Sequence, residues 1–355
     1  MAPGVGGYRQ INKALNICAF EDYLESQQTH LPHLPDVEQL SPRVIRVLGQ
    51  NPGKFTLQGT NTYIIGTGTH RILLDTGQGI PDWITLLSST LSTHGITLSH
   101  VLLTHWHGDH TGGVPDLLTH YPHLSSAIFK HTPEQQPPRK KGSKSSSQTG
   151  TQQHYQQQPI VDGQIFRVEG ATVRAVHAPG HSHDHCCFLL EEEDALFTGD
   201  NVLGHGTAAV EHLRTWMGTL RLMLGLGCKG RGYPAHGAVI VDLKGKMEGE
   251  LTAKIKREAQ VLRALRGDDS GGGDEDGGEK GKGLVGNANG GGTGRKGRKL
   301  TVKELVVLVY GDKMDDAVRE MALEPFVDEV LRKLAEDGMV GFDVRGGVKR
   351  WFALA

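Results

Sequence analysis

The sequence predicts an α/β chain of two domains: a large layered domain with a metal site at its strand ends, then a small domain of helices and a hairpin. Three observations predict it. The run Thr104-His105-Trp106-His107-Gly108-Asp109-His110 packs four metal-ligating side chains into six residues. Several short apolar segments each lead, through glycine or proline, to a further candidate ligand. A glycine-dominated stretch, residues 267–299, then separates this region from a tail with its own helical and alternating patterns.

Taken in order, the first strand end is Arg71 to Leu74, followed by Asp75-Thr76-Gly77. Asp75 suits a carboxylate that lies behind the metals and orients a ligating histidine. Leu98 to Thr104 reads as a buried strand, with Val101, Leu102 and Leu103 stopping where polar residues begin. Strand side chains repeat every two residues, so His105 and His107 point to one side and share a cation. Beyond the turn at Gly108, Asp109 and His110 face elsewhere, which suits a second cation. Arg174 to Pro179 leads to Gly180-His181, Asp194 to Thr198 leads to Gly199-Asp200, and Gly232 to Ala235 leads to His236-Gly237. Glycine and proline at these places let the backbone turn sharply enough to aim each side chain at a shared centre. Imidazole and carboxylate without thiolate suit zinc, manganese or ferrous iron, and the donor set does not choose among them.

In chain order, D-T-G, H-x-H-x-D-H, G-H, G-D and a terminal H-G resemble the five signatures of metallo-β-lactamase-fold hydrolases, over about residues 43–266. That resemblance implies an αββα sandwich with a two-metal site at one edge of the paired sheets. It places His105, His107 and His181 on one metal, Asp109, His110 and His236 on the other, and Asp200 between them. The segments Pro179 to His185, Phe197 to Gly204 and Tyr233 to Gly237 are similar to the lactamase-β-like subgroup, which carries a small C-terminal winged-helix domain and includes a mitochondrial ribonuclease. The subgroup has a histidine at the position of His185, which the resemblance implies supports the site from behind the ligands. Closer still, Gly7 to Asn16 and Leu48 to Tyr63 are similar to fungal atrochrysone carboxyl carrier-protein thioesterases.

This family implies a metal-dependent thioesterase that hydrolyses the acyl-carrier thioester of a non-reducing polyketide synthase. It would release an aromatic polyketide such as atrochrysone carboxylic acid. The implied cofactors are two divalent ions, zinc first with manganese or iron as alternatives, and the implied partner is the synthase's acyl carrier domain. Asp109 is expected to serve both as ligand and as proton shuttle. Two other readings stay open: release coupled to Claisen-type ring closure, and a winged-helix metallo-endoribonuclease.

Composition bears on these alternatives. Lys and Arg number 38 against 40 Asp and Glu, so no global basic charge favours nucleic acid. Met1 to Leu15 lacks the apolar core of a signal peptide, and no run of about 18 apolar residues marks a membrane span, so the cytosol is expected. Cys18, Cys186, Cys187 and Cys228 form neither a ligand spacing nor a disulfide framework.

The expected domains are an N-terminal extension (1–42), the hydrolase (43–266) with a low-complexity insertion at 134–159, the linker (267–299) and a winged-helix-like tail (300–355). In the tail, Thr301-Val302-Lys303-Glu304 is a capping-box pattern opening a helix through Tyr310. Pro325 to Asp337 places Phe326, Val330, Leu331 and Leu334 at helical spacing, and a hairpin follows around Gly346-Gly347. That second helix is acidic, which does not suit reading a nucleic-acid groove. Lys54, Lys130 and the basic end of the linker are the candidate contacts for an acidic carrier domain.

Overall fold

The computed structural model describes residues 31–132, 157–268, 297–312, 316 and 319–354. Gly7 to Asn16, Cys18, most of the polar insertion and most of the glycine-rich linker lie outside the described residues.

Seven strands form the first sheet in simple sequence order: β1 (Val37–Ser41), β2 (Val44–Leu48), β3 (Asn61–Ile65), β4 (His70–Leu74), β5 (Thr97–Leu103), β6 (Ile128–His131) and β7 (Gln157–Ile160). The pairings from β1 to β4 are antiparallel and those from β4 to β7 parallel. Parallel neighbours need crossovers. Helix α1 (Pro81–His94) supplies the one between β4 and β5; α2 (Gly108–Thr111) and α3 (Val114–His120) lie in the next. The second sheet holds β8 (Ile165–Val168), β9 (Ala171–His177), β10 (Cys186–Leu190), β11 (Ala195–Gly199) and β12 (Gly232–Pro234) in the order β12-β11-β10-β9-β8.

Every residue of β2 and β3 is buried, because both faces of that sheet are covered. Alternation sorts the two faces. Val44, Ile65, Ile72, Leu74 and Leu102 meet Val173, Phe188, Leu190 and Phe197 of the second sheet. Ile45, Val47, Ile64, Leu73 and Leu103 pack instead with Trp83 and Leu87 of α1 and Leu117 of α3. Trp83 is anchored as well as buried, its indole N–H donating to Thr62 Oγ1 at 3.0 Å. Helix α4 (Leu213–Gly225) buries Trp216, Met217, Leu220 and Met223, and Met223 Sδ lies 4.0 Å from Cys187 Sγ on the far face of β10. The layers are therefore helix, sheet, sheet, helix.

Two expectations drawn from composition need correcting. Gln157-Gln158-Pro159 is not part of the insertion: it begins β7, the edge strand paired with β6. Polar composition hid it, yet an edge strand tolerates a proline that donates no ladder hydrogen bond. Likewise residues 297–299 are not free linker, since the Arg298 amide donates to Leu265 O at 2.8 Å and Lys299 pairs with Asp343.

The chain separates into two compact units, one up to Thr252 and one from Ala253. The division falls inside α5 (Leu243–Arg266), whereas composition places it after Arg266. In the second unit the capping box forms at the start of α6 (Val302–Tyr310). Helix α7 (Glu324–Glu336) buries Val327, Val330, Leu331 and Leu334. Strands β13 (Val340–Arg345) and β14 (Val348–Ala353) make the hairpin, turning through Gly346 (φ 57°) and Gly347 (φ 77°). Among the described residues no helix is long and apolar enough to cross a membrane.

Candidate metal centre

Strand ends and tight turns deliver the donors. His105 follows β5, and its neighbour His107 caps the short helix α2, so that Asp109 and His110 swing away from the strand direction. Asp200 follows Gly199, which has φ 52° and approaches so closely that a Cβ there would sit 2.4 Å from His185 Nε2. Gly180, with φ 133°, lies against the backbone of Trp216, where a Cβ would come within 2.4 Å. Only glycine fits either place.

The side chains gather into two groups, His105 with His107, His181 and Asp200, and Asp109 with His110 and His236. Within each group the ligating atoms lie within 4.8 Å of one another. His181 Nε2 is 3.2 Å from His105 Nε2 and 3.0 Å from His107 Nδ1. Asp200 spans both groups: Oδ2 lies 3.4 Å from His181 Nε2 and 3.5 Å from His110 Nε2, and Oδ1 lies 3.3 Å from His236 Nε2. A tetrahedral ion with bonds of about 2.0–2.1 Å separates its ligand atoms by roughly 3.3 Å, close to this spacing. Buried Asp109 Oδ2, His110 Nε2, Asp200 Oδ1 and His236 Nε2 make no hydrogen bond. Leaving such atoms unsatisfied costs about 1–3 kcal/mol each, and a shared cation would satisfy them together. The donor set therefore fits divalent metal ions.

Electrostatics divides the groups. Burial, reinforced by the neighbouring imidazoles, holds His105 well below the ordinary histidine range. Burial and then His181 bring His107 down to about 3. In the second group burial also opposes charge, but Asp109, Asp200 and Asp75 outweigh it at His110 and hold that imidazole well above its ordinary value. His236 is likewise raised to about 9, with Asp200 and Asp109 overcoming burial. Burial alone would favour neutral Asp109 and Asp200, but the facing imidazoles keep both carboxylates well below their usual range. The positive charge that these carboxylates attract to His110 and His236 is what a cation would bring.

Behind the donors stands a layer of buried hydrogen bonds. Asp75, in a left-handed conformation (φ 59°), places Oδ2 2.9 Å from His110 Nδ1. Its carboxylate also accepts from the amide and hydroxyl of Thr104, and Thr104 Oγ1 lies 3.0 Å from His105 Nδ1. One small network thus touches both groups. His181 Nδ1 is 2.6 Å from Ala209 O. His185 stands against the donors, its ring centre 5.2 Å from that of His105, and its Nε2 accepts the Asp200 amide at 3.0 Å while Asn201 Nδ2 lies 3.0 Å from its Nδ1.

Three supporting residues were not singled out from the sequence: Thr104, Asn201 and Asn61. Asn61 Nδ2 donates to Pro234 O and Gly237 O, both at 2.8 Å, clamping the turn that presents His236. Their contacts to Asp75, His185 and Pro234 cross 29, 16 and 173 residues, so no local pattern marks the roles. One expected surface cation is corrected. Lys130 is committed to a buried pair with Asp184, its side chain only 13% exposed, and is not a docking residue. The thiols of Cys186 and Cys187 are buried, and burial pushes Cys187 up to about 12, so neither is a nucleophile.

The donors open onto a cleft of about 790 Å³. His107 and Asp109 line it together with Trp106, Ile80 and the loop bearing Lys54 and Phe55.

With this architecture in view, the match to known proteins is specific. The metallo-beta-lactamase superfamily profile matches residues 55–242. A metallo-beta-lactamase family protein of Thermus thermophilus superimposes with a TM-score of 0.58 at 21% identity, covering 89% of this chain and 100% of that one. A beta-lactamase domain protein of Burkholderia ambifaria gives 0.61 at 16% identity, covering 91% and 95%. At those identities the likeness shows the fold alone. An atrochrysone carboxyl ACP thioesterase of Aspergillus novofumigatus is 65% identical over 98% of this chain and 96% of its own length. Its counterpart in Claviceps purpurea is 56% identical with both chains fully covered, and a lactamase-like protein of an Aspergillus strain is 62% identical over 99% of each. The chain belongs to the metallo-beta-lactamase superfamily, in the fungal subgroup formed by these relatives.

Proposed function

We propose that this protein is a metal-dependent thioesterase that hydrolyses the thioester between an aromatic polyketide and the acyl carrier domain of a non-reducing polyketide synthase, releasing a product such as atrochrysone carboxylic acid. The observation that carries the reading is the pair of donor groups joined at Asp200 and opening on one cleft, in a chain similar along its whole length to proteins named for that activity.

Asp109, His110 and His236 would hold one divalent ion and His105, His107 and His181 the other, with Asp200 shared. Divalent ions so held supply Lewis acidity and lower the pKa of water towards neutrality. The chain's own residues do the rest. Asp109 is the one carboxylate among the described residues lining the cleft. His110 and His236, 3.4 and 3.3 Å from its Oδ2, keep it ionised and able to accept a proton from incoming water. The accepted proton can pass to the departing sulfur. A thiolate leaves readily, so no further acid is required.

Incubating the protein with a carrier-loaded synthase and identifying the released acid by mass spectrometry tests the reading, and the same assay separates hydrolysis from cyclising release. RNA cleavage without polyketide release would replace it with the ribonuclease reading.

A further inference from the structure

The loop from Gln50 to Leu57 contains features that the hydrolytic site does not use. Both of its ends, Gln50 (φ 57°) and Leu57 (φ 55°), are non-glycine residues in the left-handed region. Such conformations cost about 1–3 kcal/mol each and persist only where the surroundings enforce them. Here they are enforced. Asn51 accepts the Thr60 amide at 2.9 Å and donates to Thr60 Oγ1 and Gln78 Oε1, while Thr56 Oγ1 donates to Asn51 O at 2.6 Å. The loop is thus a rigid wall of the same cleft that His107 and Asp109 line. On that wall Lys54 Nζ lies 5.8 Å from the centre of the Phe55 ring, and Lys54 is the one Lys or Arg among the described residues lining the cleft. Trp106 and Ile80 extend the apolar lining.

We infer that Lys54 and Phe55 select the acyl group: Phe55 packs against a fused aromatic ring, and the Lys54 ammonium pairs with an ionised ring hydroxyl or enolate on it. The assignment rests on the thioesterase reading for its substrate, but its chemistry is that of the cleft. A flat ring offers its face to Phe55 and Trp106, where offset or edge contacts are favourable beyond area alone. An ammonium beside a hydroxyl that is conjugated with a carbonyl favours the anion. A saturated acyl chain would fill the same space without engaging the ammonium.

The test uses the full chain and direct binding, read by quenching of tryptophan fluorescence. Wild type, Lys54→Met, Phe55→Leu and the surface control Lys244→Met are titrated with a dihydroxynaphthoic acid and with octanoate. Lys54→Met and Phe55→Leu should each weaken the aromatic acid at least tenfold while changing octanoate by less than threefold; Lys244→Met should change neither. Equal loss for both acids, no loss for either, or a wild type that does not bind the aromatic acid would overturn the assignment. Hydrolysis of the matching N-acetylcysteamine thioesters is followed on the same samples, where the aromatic-over-aliphatic preference in kcat/KM should fall by the same factor. Selective binding by a wild type that hydrolyses no thioester would leave this assignment standing and remove the thioesterase reading.

Discussion

The two donor groups meet at one carboxylate, Asp200, yet their surroundings are opposite in character. Around His105, His107 and His181 the neighbours are other imidazoles and the neutral oxygens of Thr104 and Ala209, and burial keeps His105 and His107 neutral. Around His110 and His236 the neighbours are carboxylates, and both imidazoles are raised. At His105 and His107 the first group offers ready-made neutral donors beside the shared Asp200. The other is an anionic pocket in which a cation must displace protons before it binds. A carboxylate behind a ligating histidine also makes that ligand more basic, so Asp75 strengthens only the second group directly.

Substitutions can break this contrast in graded ways. The largest effect belongs to Asp200→Ala, which touches both groups: turnover should drop to background and metal content, read by elemental analysis, should fall at both sites. His107→Ala should also abolish turnover, but with metal lost preferentially from the first group. Asp109→Asn keeps an oxygen in the second group while removing the base. At saturating metal its kcat should fall by about 10²–10⁴ if it shuttles the proton, and an unchanged kcat at full occupancy would remove that role. Asp75→Ala should weaken metal affinity on the order of 10–100-fold, and in the second group more than in the first. The smallest effect is expected from Asn61→Ala. Losing two buried hydrogen bonds to the His236 turn should cost about 1–3 kcal/mol in thermal unfolding, with loosened metal in the second group only.

How far the sequence reveals this contrast depends on the kind of contact. The donors are legible because they either crowd into one short run after β5 or follow a strand end beside glycine or proline, local patterns that one segment displays by itself. The αββα layering, by contrast, comes from the resemblance; alternation along β2 is invisible when both faces are buried and every residue from Val44 to Leu48 is inside. The partners of the donors are the least legible. Thr104 joins Asp75 across 29 residues, and Asn61 reaches Pro234 across 173, so nothing local marks them. Strand β7 escaped for a different reason: two glutamines and a proline carry no apolar signal, and its edge position demands none.

Whether turnover needs both donor groups is decided by metal stoichiometry. Protein stripped of metal and verified as such is titrated with zinc while release of a carrier-bound polyketide is followed by mass spectrometry. Release should be absent at the start and reach its plateau only as the second equivalent is taken up, with the two equivalents binding unequally. Near-normal release from the metal-free protein, or a plateau at one equivalent, would contradict a reaction that needs both donor groups.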